Sequence, residues 1–132
     1  MSEPNWLRLD SVLTMHEESI KGFGGASGIR DSGKLEFALA KPQNVWAYEG
    51  PVDMFRLAAS YAYGIVMNHP FVDGNKRTGF LAAYSFLLVN GFRLETSEVD
   101  ATMTVLSLAA GELSEAEFAA WLSDRCVPLN RP

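Results

Sequence analysis

The chain has 132 residues, 48% of them hydrophobic, with 16 acidic and 11 basic side chains and a formal net charge of −5. That is enough apolar material for one core and one domain over residues 1–132, with no need of disulfides or a metal staple. The acidic balance argues against direct nucleic-acid binding, the lone Cys126 excludes an internal bridge and fits a reducing compartment, and no apolar run reaches the roughly 20 residues of a membrane span, so the expected location is the cytoplasm, away from any membrane.

In chain order, Asp10 is placed to cap a helix from Ser11 to about Gly22, with Val12, Met15, Ile20 and Phe23 as candidates for its buried side. Glycines then open a loop over residues 24–34. Asp31 or Ser32 caps a short second helix that buries Leu35, Ala38 and Leu39 and stops before Pro42. Residues 41–52, with two prolines, Trp46 and Tyr48, read as an extended loop or short hairpin. Asp53 caps a third helix to about Asn68, whose apolar residues recur on one face and spread beyond it. A fourth runs from Lys76 and ends at the Asn90-Gly91 signature. Phe92 to Thr96 is a short extended link. Ser97 caps a fifth helix from Glu98 to about Ala110. Ser114 and Glu117 form a capping box for a sixth, and the tail Val127 to Pro132 is expected to fray. Six helices and little strand predict an all-α fold.

The stretch His69-Pro70-Phe71-Val72-Asp73-Gly74-Asn75-Lys76-Arg77 carries the chemistry. Pro70 and Gly74 make it a loop that feeds the start of the fourth helix. Free N–H groups at a helix start bind anions, a nearby carboxylate holds magnesium, and an Arg one turn in grips a phosphate. Taken singly, these residues read as helix caps and solvated charges. Together in one short arc they read as a site that positions a nucleotide and deprotonates a hydroxyl.

Other motifs lead elsewhere. Gly28-Ile29-Arg30-Asp31-Ser32-Gly33-Lys34 matches the start of a phosphate-binding P-loop. Leu35 stands where Ser or Thr should hold magnesium, and no strand precedes, so it reads as a turn into a helix cap. His16-Glu17-Glu18 lacks the second His of a zinc protease, so His16 reads as a surface or helix-packing residue. Trp6, Trp46 and Trp121 read as core or cover, Cys126 as a thiol without a role, and Thr78 equally as a surface residue or a ligand contact.

The segment from His69 to Arg77 resembles the signature of the Fic family: His-Pro-Phe, any residue, Asp or Glu, Gly-Asn, Gly or Lys, Arg. Lys76, where most Fic enzymes carry a second Gly, is similar to the Doc (death on curing) branch. So are Gly28-Ile29-Arg30-Asp31, Leu35-Glu36, Ala38-Leu39-Ala40 and Pro42-Gln43. The likeness spans roughly residues 8 to 122. It implies a Fic-fold helical bundle with a short flap and an enzyme that moves part of a nucleotide onto a protein hydroxyl. His69 would be the general base and Phe71 the anchor of the loop. Asp73 would hold Mg2+. Gly74, Asn75 and Lys76 would give anion-hole amides, with the Asn75 side chain as a further donor, and Arg77 would clamp a phosphate. By position the flap falls at Pro42 to Val52, with Lys41 and Asn44 as candidates for polar contacts to a target segment.

The same resemblance implies a toxin of a toxin–antitoxin pair. Such a toxin uses ATP to phosphorylate a target, a translation factor in the leading reading, and is held silent by a separate antitoxin. The alternatives are a protein AMP transferase and a catalytically silent binding module. Thr14 to Glu18 begins the inhibitory motif of some Fic proteins, but Ser19 breaks it.

Overall fold

In a computed structural model, residues 2–129 are described. The chain forms α1 (Leu9–Phe23), α2 (Ser32–Glu49), α3 (Met54–Asn68), α4 (Asn75–Val89), β1 (Phe92–Leu94), α5 (Glu98–Ala109), α6 (Glu115–Arg125) and β2 (Cys126–Pro128). The expected six helices are present. Among the described residues none is long and apolar enough to cross a membrane.

α3 is the hub. Its Asp53 cap accepts from Arg56 N at 2.7 Å, and nearly every side chain from Leu57 to Val66 is buried. It packs on α4, and beyond that on α2 and α6. The α3–α4 approach is close because position 79 is glycine: a Cβ there would lie 2.7 Å from Val66 Cγ2 and 3.1 Å from the Ala62 carbonyl. The two helices bury Tyr61, Ile65, Phe86 and Leu87 between them and their neighbours, each worth about 1.5–3 kcal/mol. The motif loop joining them therefore rests on the most tightly packed part of the molecule. Trp6 covers the same core, edge-on to Trp46 and stacked on Phe86. The Tyr61 hydroxyl accepts from Leu7 N at 3.1 Å, and burial pushes its pKa up to about 12.

Several expectations are corrected. The flap at 42–52 does not exist as a loop or hairpin. α2 runs on through Pro42 to Glu49, so Lys41 and Asn44 stand on a helix. Pro42 has no N–H to give the preceding turn, but Pro42 and Val45 are buried, and Ala38 sits where a Cβ on Gly64 of α3 would come within 3.2 Å. Tertiary packing outweighs the missing hydrogen bond. α1 starts at Leu9, and Asp10 pairs with Arg8 instead of capping. Its buried face is Val12, His16 and Ser19, whereas Phe23 is 68% exposed. Thr78 is fully buried, so it is not a surface residue.

Most of the link after Gly91 and the start of the tail are strands. β1 pairs antiparallel with β2, Arg93 opposite Val127 and Leu94 opposite Cys126. Glu95 N and Leu129 N extend the ladder to Arg125 O and Gly91 O, each at 2.8 Å. The tail does not fray over Val127 to Leu129; the expectation for 130–132 falls outside the described residues. Partial burial pushes the Cys126 thiol up to about 11, which leaves it an unreactive thiol.

Candidate active site

Four helices start from a side-chain cap: Asp31 on α2, Asp53 on α3, Ser97 on α5 and Ser114 on α6. α1 and α4 have none, and on α4 the N-cap is Gly74, in the left-handed region at φ 76°. Thr78 N closes the first turn onto Gly74 O at 3.0 Å. The N–H groups of Asn75, Lys76 and Arg77 precede that bond, so no helical carbonyl is available to them. An uncapped helix start is the local basis of an anion site.

The loop before it is held from within. His69 ends α3 with φ 49° and ψ 56°, the one non-glycine residue with positive φ among the described residues. Such a conformation costs about 1–3 kcal/mol. Phe71 is 1% exposed, and Asn75, 8% exposed, brackets its peptide: Oδ1 accepts from Phe71 N at 2.9 Å and Nδ2 donates to Phe71 O at 3.0 Å. Burial of the ring at about 1.5–3 kcal/mol and two buried hydrogen bonds at about 0.5–1.5 kcal/mol each outweigh the strain. The Asn75 side chain thus braces the loop through Oδ1 and one N–H of Nδ2, and only the second N–H of Nδ2 is left for the expected role as a ligand donor.

Helix α1 supports the loop from below. The His16 ring stacks on Phe71, centroids 3.9 Å apart, and His16 Nε2 lies 2.8 Å from the Asp73 carbonyl. A carbonyl only accepts, so Nε2 carries the proton. Ser19 Oγ takes Arg77 Nη1 at 2.9 Å, and the Arg77 guanidinium lies 4.5 Å above the Phe23 ring. The glycine-rich loop after α1 closes on the Asp73 carboxylate, with Ala26 N donating to Oδ2 at 3.2 Å and Gly74 N to Oδ1 at 2.8 Å. These amides, Gly74 first, hold the Asp73 carboxyl below the usual carboxylate range, with smaller help from Arg77 and His16. Asp73 is thus an anion with one lone-pair direction on each oxygen uncommitted.

Segment 28–31 lies along the far side of the motif. Arg30 N donates to Pro70 O at 2.7 Å and Val72 N to Gly28 O at 3.0 Å, a single antiparallel bridge of Ile29 with Phe71. Strand-like pairing beside the motif therefore comes from Gly28–Arg30, not from residues 42–52. The P-loop-like match is a turn into the Asp31 cap, as its sequence context indicated.

A cleft of about 840 Å³ opens at the start of α4 and runs between α4 and α5. Asp73, Gly74, Asn75, Lys76 and Arg77 line one end; Phe80, Tyr84, Leu94 and Val105 line its walls; Thr96, Ser97 and Glu98 close the other end. His69 is outside that lining, exposed at the end of α3. Lys41 and Asn44 also lie outside it, on α2. The cleft end thus gathers one anion, two cations and three open amides.

Magnesium fits this end in one way. Among the described residues no group of three His, Cys, Asp or Glu could hold a metal alone. A single ionised, accessible Asp73 beside an anion site is the arrangement in which magnesium arrives with a polyphosphate and keeps its remaining oxygen ligands from phosphate and water.

His16, Ser19, Gly25 and Arg30 are the residues that reading the motif alone missed. Val12, His16 and Ser19 recur at helical spacing, so a polar inward face was visible on α1 in principle. Nothing local marks the partner of Arg30.

The Fic/DOC family model matches residues 6–87. A protein from Escherichia phage P1 named protein kinase Doc is 34% identical over 110 residues, which cover 83% of this chain and 86% of that protein. A protein from Mycolicibacterium smegmatis named toxin Doc is 41% identical over 73 residues, 54% of this chain and 56% of that protein.

Proposed function

The chain belongs to the Fic/DOC family, in its Doc-like branch, and from that premise we propose a toxin that transfers the γ-phosphate of ATP to a hydroxyl of a target protein. The observation that carries this reading is the convergence on one uncapped helix start: three open amides, the ionised Asp73 and the Arg77 guanidinium share one cleft end. Phosphoryl transfer asks chiefly for positioning and for neutralisation of phosphate charge, and this set supplies both.

In this reading His69 takes the proton of the target hydroxyl. The hydroxyl oxygen bonds to the γ-phosphorus, the bond to the β–γ bridging oxygen breaks, and ADP leaves. The Gly74, Asn75 and Lys76 end of the helix and Arg77 hold the phosphates. Magnesium, when bound with the nucleotide on Asp73, supplies positive charge to the phosphate oxygens. Phe71 keeps the loop in place. Lys76 fills space beside the helix start that a glycine would leave open, which favours moving the terminal phosphate over moving AMP.

The target segment adds to the edge formed by Gly28–Arg30. The bridge there uses the N–H of Arg30 and the carbonyl of Gly28, so the peptide groups of Ile29 point to the free side. A translation factor is the target class we favour, and an antitoxin chain covering the cleft is the natural means of silencing it. Its apolar walls, Phe80, Tyr84, Leu94 and Val105, suit such a cover.

The test is mass spectrometry of lysate proteins after incubation with the protein, ATP and magnesium. The proposal expects peptides that gain one phosphate on a Ser, Thr or Tyr. A gain of one adenylate instead would assign AMP transfer, and no modification would leave a binding module.

A further inference from the structure

The base at position 69 has no anchor of its own. Its imidazole is exposed and makes no hydrogen bond among the described residues, so its backbone is what fixes where the side chain leaves the chain. That backbone is in the left-handed region, at the C-terminal end of a helix. One side chain grips it. Arg30 Nε donates to His69 O at 2.7 Å and Arg30 Nη2 to Asn68 O at 3.0 Å. The Arg30 backbone N–H donates to Pro70 O at 2.7 Å. Three successive carbonyls, of residues 68, 69 and 70, thus converge on one arginine.

We infer that Arg30 is the positioning residue for His69: its guanidinium holds the strained peptide from which the imidazole projects and stands outside the lining of the phosphate-binding cleft. The inference rests on the reading of His69 as the base. Its chemistry is specific to arginine. A guanidinium spans two adjacent carbonyls with a rigid fork, whereas a lysine ammonium delivers charge without that planar span. A cation at the negative end of α3 also complements the helix dipole. Asp31 N shares Pro70 O with Arg30 N at 3.0 Å, so the backbone part of the grip survives loss of the side chain and the loop stays attached. The Arg30 side chain therefore governs the His69 peptide more than the fold.

The experiment uses Arg30→Ala and Arg30→Lys in the full chain, with two independent readouts. In transfer kinetics, kcat is expected to fall about 10- to 100-fold in both variants, while the KM for ATP stays within about twofold because no nucleotide contact is lost. In proton NMR the chain offers an internal control, because it has only two histidines, His16 and His69. The His69 ring signal should shift or broaden in both variants while the buried His16 signal holds its position.

An unchanged His69 signal overturns the inference, as does a raised KM with kcat intact. If Arg30→Ala moves both histidine signals, the role is one of folding and the inference fails unless Arg30→Lys moves the His69 signal alone. If the wild-type chain transfers nothing, the reading of function fails, yet the NMR comparison still decides whether Arg30 aims the imidazole.

Discussion

The imidazole of His16 lies flat on the ring of Phe71, centroids 3.9 Å apart and planes 8° from parallel, while its Nε2 donates to the carbonyl of Asp73 at 2.8 Å. One buried side chain on α1 thereby fixes both the anchor of the motif loop and the peptide that carries its carboxylate. Replacing it with alanine removes a packed ring and leaves a carbonyl without its donor. His16→Ala should cost about 2–4 kcal/mol of stability and raise the magnesium concentration needed for activity. Urea unfolding and a magnesium titration measure the two effects. An unchanged unfolding midpoint would show that the stacked pair carries no weight.

Gly25 makes room for the Asp73 carboxylate. A Cβ at position 25 would fall 2.7 Å from Asp73 Oδ2, and the glycine sits at φ 115°. Gly25→Ala should therefore displace the carboxylate from the Ala26 amide and lower stability by about 1–3 kcal/mol. Magnesium-dependent transfer should fall with it. Retention of full activity at limiting magnesium would show that the amide cradle is dispensable.

Ser19 holds Arg77 through its hydroxyl at 2.9 Å, with the Phe23 ring on the other side of the guanidinium. Ser19→Ala keeps the ring and removes the hydrogen bond. The expected result is a KM for ATP raised about 3- to 10-fold, less than the full worth of a hydrogen bond to a charged group because the Phe23 ring still holds the guanidinium, with little change in kcat. A fall in kcat alone would place Arg77 away from ground-state phosphate binding.

The pH dependence follows from Asp73. Its carboxyl is held down in the folded chain by the Gly74 and Ala26 amides. A group whose folded pKa lies below its unfolded one stabilises the fold above the unfolded value, and that contribution disappears as the pH falls through the folded one. Wild type should therefore lose stability on acidification below the ordinary carboxylate range more steeply than Asp73→Asn. Paired thermal melts from neutral to acid pH check the slope. Parallel curves would contradict the assignment.

What could be read before the structure was local. Asp53, Ser97 and the Ser114–Glu117 box cap their helices as expected, because a cap is decided by a few adjacent residues. The motif from His69 to Arg77 was legible for the same reason: its residue types are contiguous. Apart from Asp10, which pairs with its neighbour Arg8, the failures arise where packing, strand pairing or a turn brings residues together. Pro42 marks a helix end by every local rule, and the helix passes through it because Ala38, Pro42 and Val45 are buried against the rest of the fold. Three-residue strands carry no period to detect, so β1 and β2 exist only through each other. The brace that Asn75 makes on the Phe71 peptide was not legible either, because the two residues meet only once the loop has turned.

The most direct measurement is transfer of radioactive label from ATP to lysate proteins, with label placed at either the α- or the γ-phosphate and wild type compared with His69→Ala. The account predicts that γ-label moves onto protein, that α-label does not, and that His69→Ala loses about 10²- to 10⁴-fold of the rate. Label arriving from the α-phosphate, or arriving equally well without the imidazole, would contradict it.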